Sequence, residues 1–381
     1  MGAGERGRLV ALACASFTML GAGIALPGAL LPLLVDAFAI RLVEAGSMLA
    51  CAPIAQLGST LVAARLVARL GARVTAGAGV GLLGAGMLAF PLAHGWRAGA
   101  ALLALGGLGI GLLEVAINTR LLALRGRYAT NVLAFSHLFF GVGCGAMPVL
   151  ATGAVARGLS WRAPFVLCGA ATLAVAAAWS LAPPDAAPPT AADGGTREHA
   201  PRALLLAACM ATYVGIEIGT GAWIAEYMVR ARGASLPAAG WAVALYWLGL
   251  TAGRVALTAL GHHASPERLV QVATLAASAA LAATLSLSST VASTAGFAVT
   301  GFALAGIFPG LMAVGGRWFP HEPARIASRL LIGAGAGGIV LPWAMSAVAD
   351  QAGVAGGMRC YVVAALALAM LATAVRRRAP R

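Results

Sequence analysis

The chain has 381 residues, of which 60% are hydrophobic and 10% charged, and its mean hydropathy is +0.89. A water-soluble protein averages about 25% charged residues, so this composition excludes a soluble globular protein and indicates one whose solvent is lipid. The net charge of +14 comes from Arg residues that lie mostly between apolar runs, which indicates membrane topology and excludes a nucleic-acid partner.

Twelve apolar runs divide the chain, and each is long enough to cross a hydrocarbon core of about 30 Å as a helix. Alternation with a period of two is absent, which excludes barrel strands. We call these runs spans 1 to 12. Their predicted ranges are 9–33, 44–68, 74–94, 98–121, 131–155, 161–182, 203–228, 237–260, 267–288, 291–314, 326–349 and 355–375.

The distribution of Arg residues predicts the orientation of the spans. With the N-terminus inside, nineteen of the 26 fall on the inner side, so both termini are predicted to be cytoplasmic. Arg6 and Arg8 precede span 1 as in a signal peptide, but span 1 is too long and lacks a clear cleavage site, so we interpret it as an uncleaved helix. The Arg-only, Ala-rich usage favours a multi-pass protein of a bacterial inner membrane.

A Pro-rich polar segment at 183–202 is predicted to be a cytoplasmic linker between domains 1–182 and 203–381, each with six spans. A Gly-x-Gly-x-Gly motif followed by Pro occurs at 141–148 and again at 333–342, which indicates an internal repeat. The sequence therefore predicts an all-α membrane protein of two six-helix pseudo-repeats. This architecture is typical of transporters that work by alternating access.

Ionisable residues inside spans are few, and each costs on the order of a few kcal/mol at the bilayer centre unless it is paired or hydrated. Glu114 and Asn118 of span 4 are four residues apart and share a face. His137 of span 5 is expected at a depth similar to that of Glu114. A carboxylate near an imidazole suits proton coupling, and a static Glu–His pair that locks two helices fits the same pattern.

Span 7 carries a second polar face, formed by Tyr213, Glu217 and Thr220, with Trp223 nearby. A carboxylate beside aromatic rings suits a sugar or polyol, and it also suits a cationic ligand. Trp223 fits a solute contact and an interfacial belt residue equally well. Gln56 of span 2 is a further candidate for a polar contact near the midplane.

The loop at 68–73 reads Ala-Arg-Leu-Gly-Ala-Arg and is similar to the signature Asp-Arg-x-Gly-Arg-Arg of the major facilitator superfamily. Arg69, Gly71 and Arg73 match the signature, and Ala68 replaces its acidic residue. The twelve-span layout resembles the same superfamily. The resemblance implies a gating role for this loop. Separately, Arg254 is expected to end span 8 near the inner surface, as an anchor or part of a gate.

Four segments resemble the fucose permease-like sugar transporters of that superfamily more narrowly, and the resemblance extends over most of the chain. In those permeases an acidic residue of span 4 is implicated in proton symport, and Glu114 matches it. Their acidic residue of span 1 would fall near Gly28, where this chain has none. The resembling segments are 136–143, 213–224, 246–254 and 306–310.

We therefore predict a transporter, not an enzyme, that moves a sugar or polyol by alternating access with protons. Proton-coupled export of drugs or metabolites is the alternative, although Met147 stands where the antiporter signature has Gly before Pro148. An intramembrane enzyme or a sensor is less well supported, because motifs of a nucleophile and base or of a metal site are missing. We expect a monomer in the lipid bilayer with no cofactor or metal, and cysteines that serve only in packing.

Overall fold

The computed structural model describes residues 2–124, 126–185, 200–260 and 265–379, and within these ranges it contains helices and no strands. Eleven segments of this part of the chain are long and apolar enough to cross a membrane. The last, Arg325–Arg377, contains two spans, because Gly353 interrupts it with a backbone φ of +72° that favours glycine. The prediction of an all-α membrane protein is confirmed.

The chain forms two compact units. Unit 1 comprises Met1–Ile40 and Ser47–Ala191, and unit 2 comprises Arg41–Gly46 and Ala192–Arg381. Residues 186–199 of the predicted linker lie outside the described residues.

The helices of the first six spans begin and end close to the predicted ranges. Short 3-10 turns at Phe90–Leu92 and Trp179–Leu181 follow spans 3 and 6. The helices are Ala3–Ala29 and Leu31–Phe38 for span 1, Leu42–Leu70 for span 2, Ala72–Ala89 for span 3, Trp96–Leu122 for span 4, Gly126–Ala156 for span 5 and Arg162–Ala178 for span 6.

The last six spans also follow the apolar pattern. The helices are Ala200–Arg232 for span 7, Leu236–Leu260 for span 8, Pro266–Ser286 for span 9, Thr290–Leu304 and Ile307–Trp318 for span 10, and Pro323–Arg377 for spans 11 and 12. Spans 1 and 10 are interrupted, at Leu30 and at 305–306, whereas the sequence predicts continuous helices. Pro27 and Pro32 flank the first break and explain it, because proline removes a helical hydrogen bond.

Glycine allows the helices of unit 1 to pack closely. In the contact between spans 1 and 5, Gly143 lies against the carbonyl of Thr18, and Gly21 lies against the carbonyl of Phe140. In the contact between spans 2 and 4, Gly107 lies against the carbonyl of Ala52. A side chain at any of these glycines would collide with the backbone of its neighbour, so the predicted packing role of the glycines is supported.

Unit 2 repeats these helix pairs. Span 7 packs on span 11, where Gly337 lies against the carbonyl of Ala211, and span 8 packs on span 10, where Gly301 lies against the carbonyl of Tyr246. Span 9 contacts spans 10 and 12, as span 3 contacts spans 4 and 6 in unit 1. The same pairing order in both units is what an internal repeat of six spans requires.

Candidate functional site

The polar residues of span 4 belong to the face that packs on span 2. Gly107, Gly111, Glu114 and Asn118 follow one another at intervals of three or four residues, so they line one side of the helix. Gly111 lies 2.5 Å, measured from an ideal Cβ position, from the carbonyl oxygen of Gln56. This close approach brings the side chain of Gln56 within reach of Glu114.

Gln56 and Glu114 are hydrogen-bonded to each other. Nε2 of Gln56 donates to Oε2 of Glu114 at 2.9 Å, and both side chains are half-buried. Oδ1 of Asn118 is buried, and no donor reaches it from the described part of the chain. The structure therefore joins Gln56 to Glu114, and Asn118 lies one turn further along the same face of span 4. We call these three predicted residues the polar cluster of unit 1.

His137 of span 5 packs against span 1. Its ring lies 4.3 Å from the ring of Phe17, and its Nδ1 is 2.9 Å from the carbonyl oxygen of Leu133 in its own helix. The side chain is exposed. The packing of spans 1 and 5 thus gives the ring an aromatic neighbour, and the predicted pairing of His137 with Glu114 stays a prediction.

Glu217 forms an ion pair with Arg254 in unit 2. Nη2 of Arg254 lies 3.3 Å from Oε1 of Glu217, and the two side chains are 36% and 9% exposed. Span 8 continues to Leu260, so Arg254 lies before its end and reaches Glu217 near the middle of span 7. A cation in this place stabilises a buried carboxylate, and the role of Arg254 as an anchor or part of a gate stays a prediction.

The rest of the polar face of span 7 points into the interior of unit 2. Tyr213 and Phe308 have ring centroids 6.5 Å apart, and Tyr213, Thr220 and Trp223 are fully buried. Oγ1 of Thr220 and Nε1 of Trp223 have no hydrogen-bond partner among the described residues. The burial of Trp223 excludes the interpretation as a membrane-interface residue and leaves the solute-contact interpretation as a prediction.

The loop between spans 2 and 3 contacts residues that follow span 6. Arg69 is exposed, whereas the backbone N–H of Arg73 donates to both carboxylate oxygens of Asp185 at 3.1 Å. Gly71 has a φ of +85° and lies against the same carboxylate. Sequence reasoning missed Asp185 because it lies in a Pro-rich segment that resembles a linker.

Two other interacting residues were also missed. Arg120, at the end of span 4, is buried and pairs with Asp185 at 3.5 Å. Tyr246 of span 8 donates its hydroxyl hydrogen to the carbonyl oxygen of Glu217 at 2.8 Å. The sequence offered one signal for Tyr246, its position in the segment 246–254 that resembles the sugar permeases.

Within the described ranges, His, Cys, Asp and Glu side chains form no cluster that could hold a metal ion. The six cysteines all lie within the described residues, at separate places in the helices, and they form no disulfide. The chemistry open to the two polar clusters is hydrogen bonding, charge pairing and proton exchange.

The sequence matches a family model described as Major Facilitator Superfamily over residues 11–216, which is more than half of the chain. The chain belongs to the major facilitator superfamily. It is therefore a multi-pass membrane transporter of the kind that carries small-molecule solutes. No curated protein matches the chain by sequence.

Solved structures of other superfamily transporters share the fold. A bacterial homolog of the human lysosomal transporter Spinster, inward-facing and occupied, superposes with a TM-score of 0.76 at 14% identity, over 99% of this chain and 98% of the other. A D-xylose-proton symporter superposes with a TM-score of 0.76 at 13% identity, over 97% of both chains. A point mutant of the nucleoside transporter NupG superposes with a TM-score of 0.78 at 12% identity, over 98% of this chain and 99% of the other.

Proposed function

We propose that this transporter carries a sugar or related polyol across the bacterial inner membrane by alternating access, together with protons. The observation that carries the proposal is the polar cluster of Gln56, Glu114 and Asn118 inside otherwise apolar spans. An ionisable residue in a spanning segment marks a solute or proton pathway by default. The resemblance to fucose permease-like transporters and the fold shared with a D-xylose-proton symporter support the same solute class.

The chemistry of the cluster favours a solute that donates hydrogen bonds. The amide oxygen of Asn118 is a buried acceptor without a donor among the described residues, which costs about 1–3 kcal/mol until a donor arrives. Glu114 uses Oε2 to accept from Gln56, and its carboxylate can accept further hydrogen bonds through Oε1. Neighbouring hydroxyl groups of a sugar or polyol are donors of the required kind.

Glu114 is also the proposed proton-coupling residue. Its hydrogen-bond partner is a neutral amide, so the carboxylate can gain and lose a proton without breaking an ion pair. Glu217 differs because its protonation would remove the negative charge that faces Arg254. His137 remains a predicted coupling residue whose contribution needs a separate test.

The test is proton-driven uptake into proteoliposomes, with the sugar that best stabilises the purified protein as the labelled solute. We expect Glu114→Gln to abolish accumulation driven by an inward proton gradient and to retain exchange of labelled for unlabelled solute. Glu5→Gln, the same change at a half-buried carboxylate near the start of span 1 and outside the polar cluster, is the matched control and is expected to behave like the wild type. Unchanged accumulation by Glu114→Gln would exclude the coupling role.

His137→Gln separates the two candidate coupling residues. Because the ring of His137 packs against Phe17 and its side chain is exposed, whereas Glu114 bonds to Gln56, we expect this variant to keep proton-driven accumulation. Loss of accumulation in His137→Gln with normal exchange would assign coupling to the imidazole. Proton-driven efflux of hydrophobic cations, without sugar uptake, would favour the alternative of export.

A further inference from the structure

The carboxylate of Asp185 lies at the N-terminus of the span 3 helix, at the end of unit 1 where span 1 begins. Asp185 accepts from the N–H of Arg73, the second residue of the span 3 helix, across 112 positions of sequence. An N-cap side chain normally satisfies this donor, but the N-cap residue here is Gly71, which has no side chain. A Cβ at Gly71 would collide with Oδ2 of Asp185, so the glycine leaves room for a cap supplied by another segment.

Arg120 holds the same segment from the end of span 4. Its side chain is 5% exposed, its Nε lies 3.5 Å from Oδ1 of Asp185, and its Nη2 donates to the carbonyl of Pro183 at 2.6 Å. The guanidinium also lies 5.8 Å from the centre of the Trp179 ring. A guanidinium this deeply buried needs a compensating anion, and Asp185 supplies it.

Unit 2 performs the corresponding tasks with residues of span 9 itself. Ser265 caps the helix, and Glu267 in its first turn is 1% exposed. Glu267 accepts from Nη1 of Arg317, at the end of span 10, at 3.1 Å, and from Nε1 of Trp318 at 3.0 Å. Span 3 begins Gly-Ala-Arg and has neither a capping side chain nor an acid in its first turn. Comparison with span 9 thus shows that span 3 lacks its own capping side chain and its own acidic residue.

We propose that Asp185 is a latch residue that replaces both the cap and the acid missing from the start of span 3. It stands in for the acidic residue that Ala68 replaces in the loop, and it fastens that loop to the end of span 4. Residues 182–185 are then a fixed part of unit 1, although 183–185 fall within the predicted linker. The latch follows from these contacts, and only its effect on transport rests on the proposed function.

Amide hydrogen exchange on the purified full-length transporter, without solute, tests the latch directly. We expect Asp185→Ala to raise exchange at residues 72–76 at least tenfold and to leave the peptides of spans 7 to 12 unchanged. Asp185→Asn keeps an oxygen for the N–H of Arg73 but loses the charge that faces Arg120, so its increase should be smaller. Asp350→Asn is the matched control, because Asp350 pairs with an Arg41 side chain that is 69% exposed.

Arg120→Gln should raise exchange at the same amides, and the double variant with Asp185→Ala should add little, because both changes release one latch. Unchanged exchange at 72–76 in Asp185→Ala or in Arg120→Gln would overturn the proposal. So would an increase spread equally over both units, which would indicate loss of the fold. These outcomes are read without a solute, so they are independent of whether sugars are transported.

The effect on transport is measured in the proteoliposome exchange assay. Asp185 lies outside the polar cluster of span 4, so we expect Asp185→Asn to change the maximal exchange rate at least threefold with little change in KM. Asp185→Glu, which restores the charge, should recover part of the rate. A wild-type rate in Asp185→Asn, despite faster amide exchange, would overturn the role of the latch in transport.

Discussion

Glu114 and Glu217 are both carboxylates in apolar spans, yet their surroundings differ. Glu114 meets the neutral side chain of Gln56, and no donor from the described residues reaches Asn118, one turn away. Glu217 meets the guanidinium of Arg254, and Tyr246 bonds to its backbone. A carboxylate beside a neutral amide is free to exchange a proton or to bind a solute, whereas a carboxylate paired with Arg mainly compensates a charge.

Removing one member of the unit 2 ion pair should destabilise the protein. Glu217→Gln removes the negative charge that faces Arg254, and the partial exposure of Arg254 limits the expected loss to about 1–3 kcal/mol. Thermal unfolding in detergent measures the change. Glu217→Gln combined with Arg254→Gln should be less destabilised than the sum of the two single variants. Additive effects would show that the pair contributes no coupling energy.

Two neighbouring glycines of span 11 show how glycine allows helices to pack closely. Gly337 of span 11 lies against the backbone of span 7, whereas its neighbour Gly338 faces a methyl group of Val214 at an ordinary 3.5 Å from an ideal Cβ position. The two residues share a helix and a residue type, and they differ in what lies next to them. They therefore form a matched pair for testing the packing.

Gly337→Ala should lower the apparent Tm by several degrees, because the added methyl group would force spans 7 and 11 apart. Gly338→Ala should be neutral or slightly stabilising, since alanine favours a helix interior over glycine by roughly 0.5–1 kcal/mol. Thermal unfolding of both variants, purified side by side, gives the comparison. Equal Tm values would show that the contact between spans 7 and 11 tolerates a side chain.

The spans could be predicted from the sequence because membrane thickness fixes the length of an apolar helix. Helix faces could also be predicted, so the sequence groups Glu114 with Asn118. The partner of each face could not be predicted, because helical periodicity does not say which spans are neighbours. The bond from Gln56 to Glu114 and the stacking of His137 therefore appear only in the structure.

The latch shows a second limit of sequence reasoning. Asp185 follows two prolines, and such a composition indicates a linker as long as its surroundings are unknown. Its contacts come from the start of span 3 and the end of span 4, which are distant in sequence. The loop signature did indicate that an acid was missing, but not which segment supplies one.

At the scale of the whole molecule, each unit repeats one order of helix pairs, and each contains buried polar residues within its spans. In unit 1 the buried amide oxygen of Asn118 has no donor among the described residues, and in unit 2 Glu217 and Arg254 form an ion pair near buried aromatic side chains. Membership in the major facilitator superfamily gives the transport function. The solute and the coupling ion are the proposals that depend on unit 1.

The central proposal is tested most directly by thermal unfolding of the detergent-solubilised transporter with candidate solutes. The panel contains hexoses, deoxyhexoses, polyols, amino acids and hydrophobic cations. A solute that binds only the folded state raises the free energy of unfolding by RT ln(1 + [L]/Kd), which is about 2.7 kcal/mol when the solute concentration is a hundred times Kd. We predict stabilisation by a sugar or polyol that is lost in Asn118→Ala and kept in Gly338→Ala. Stabilisation by hydrophobic cations alone, or by a sugar equally in Asn118→Ala, would contradict the account.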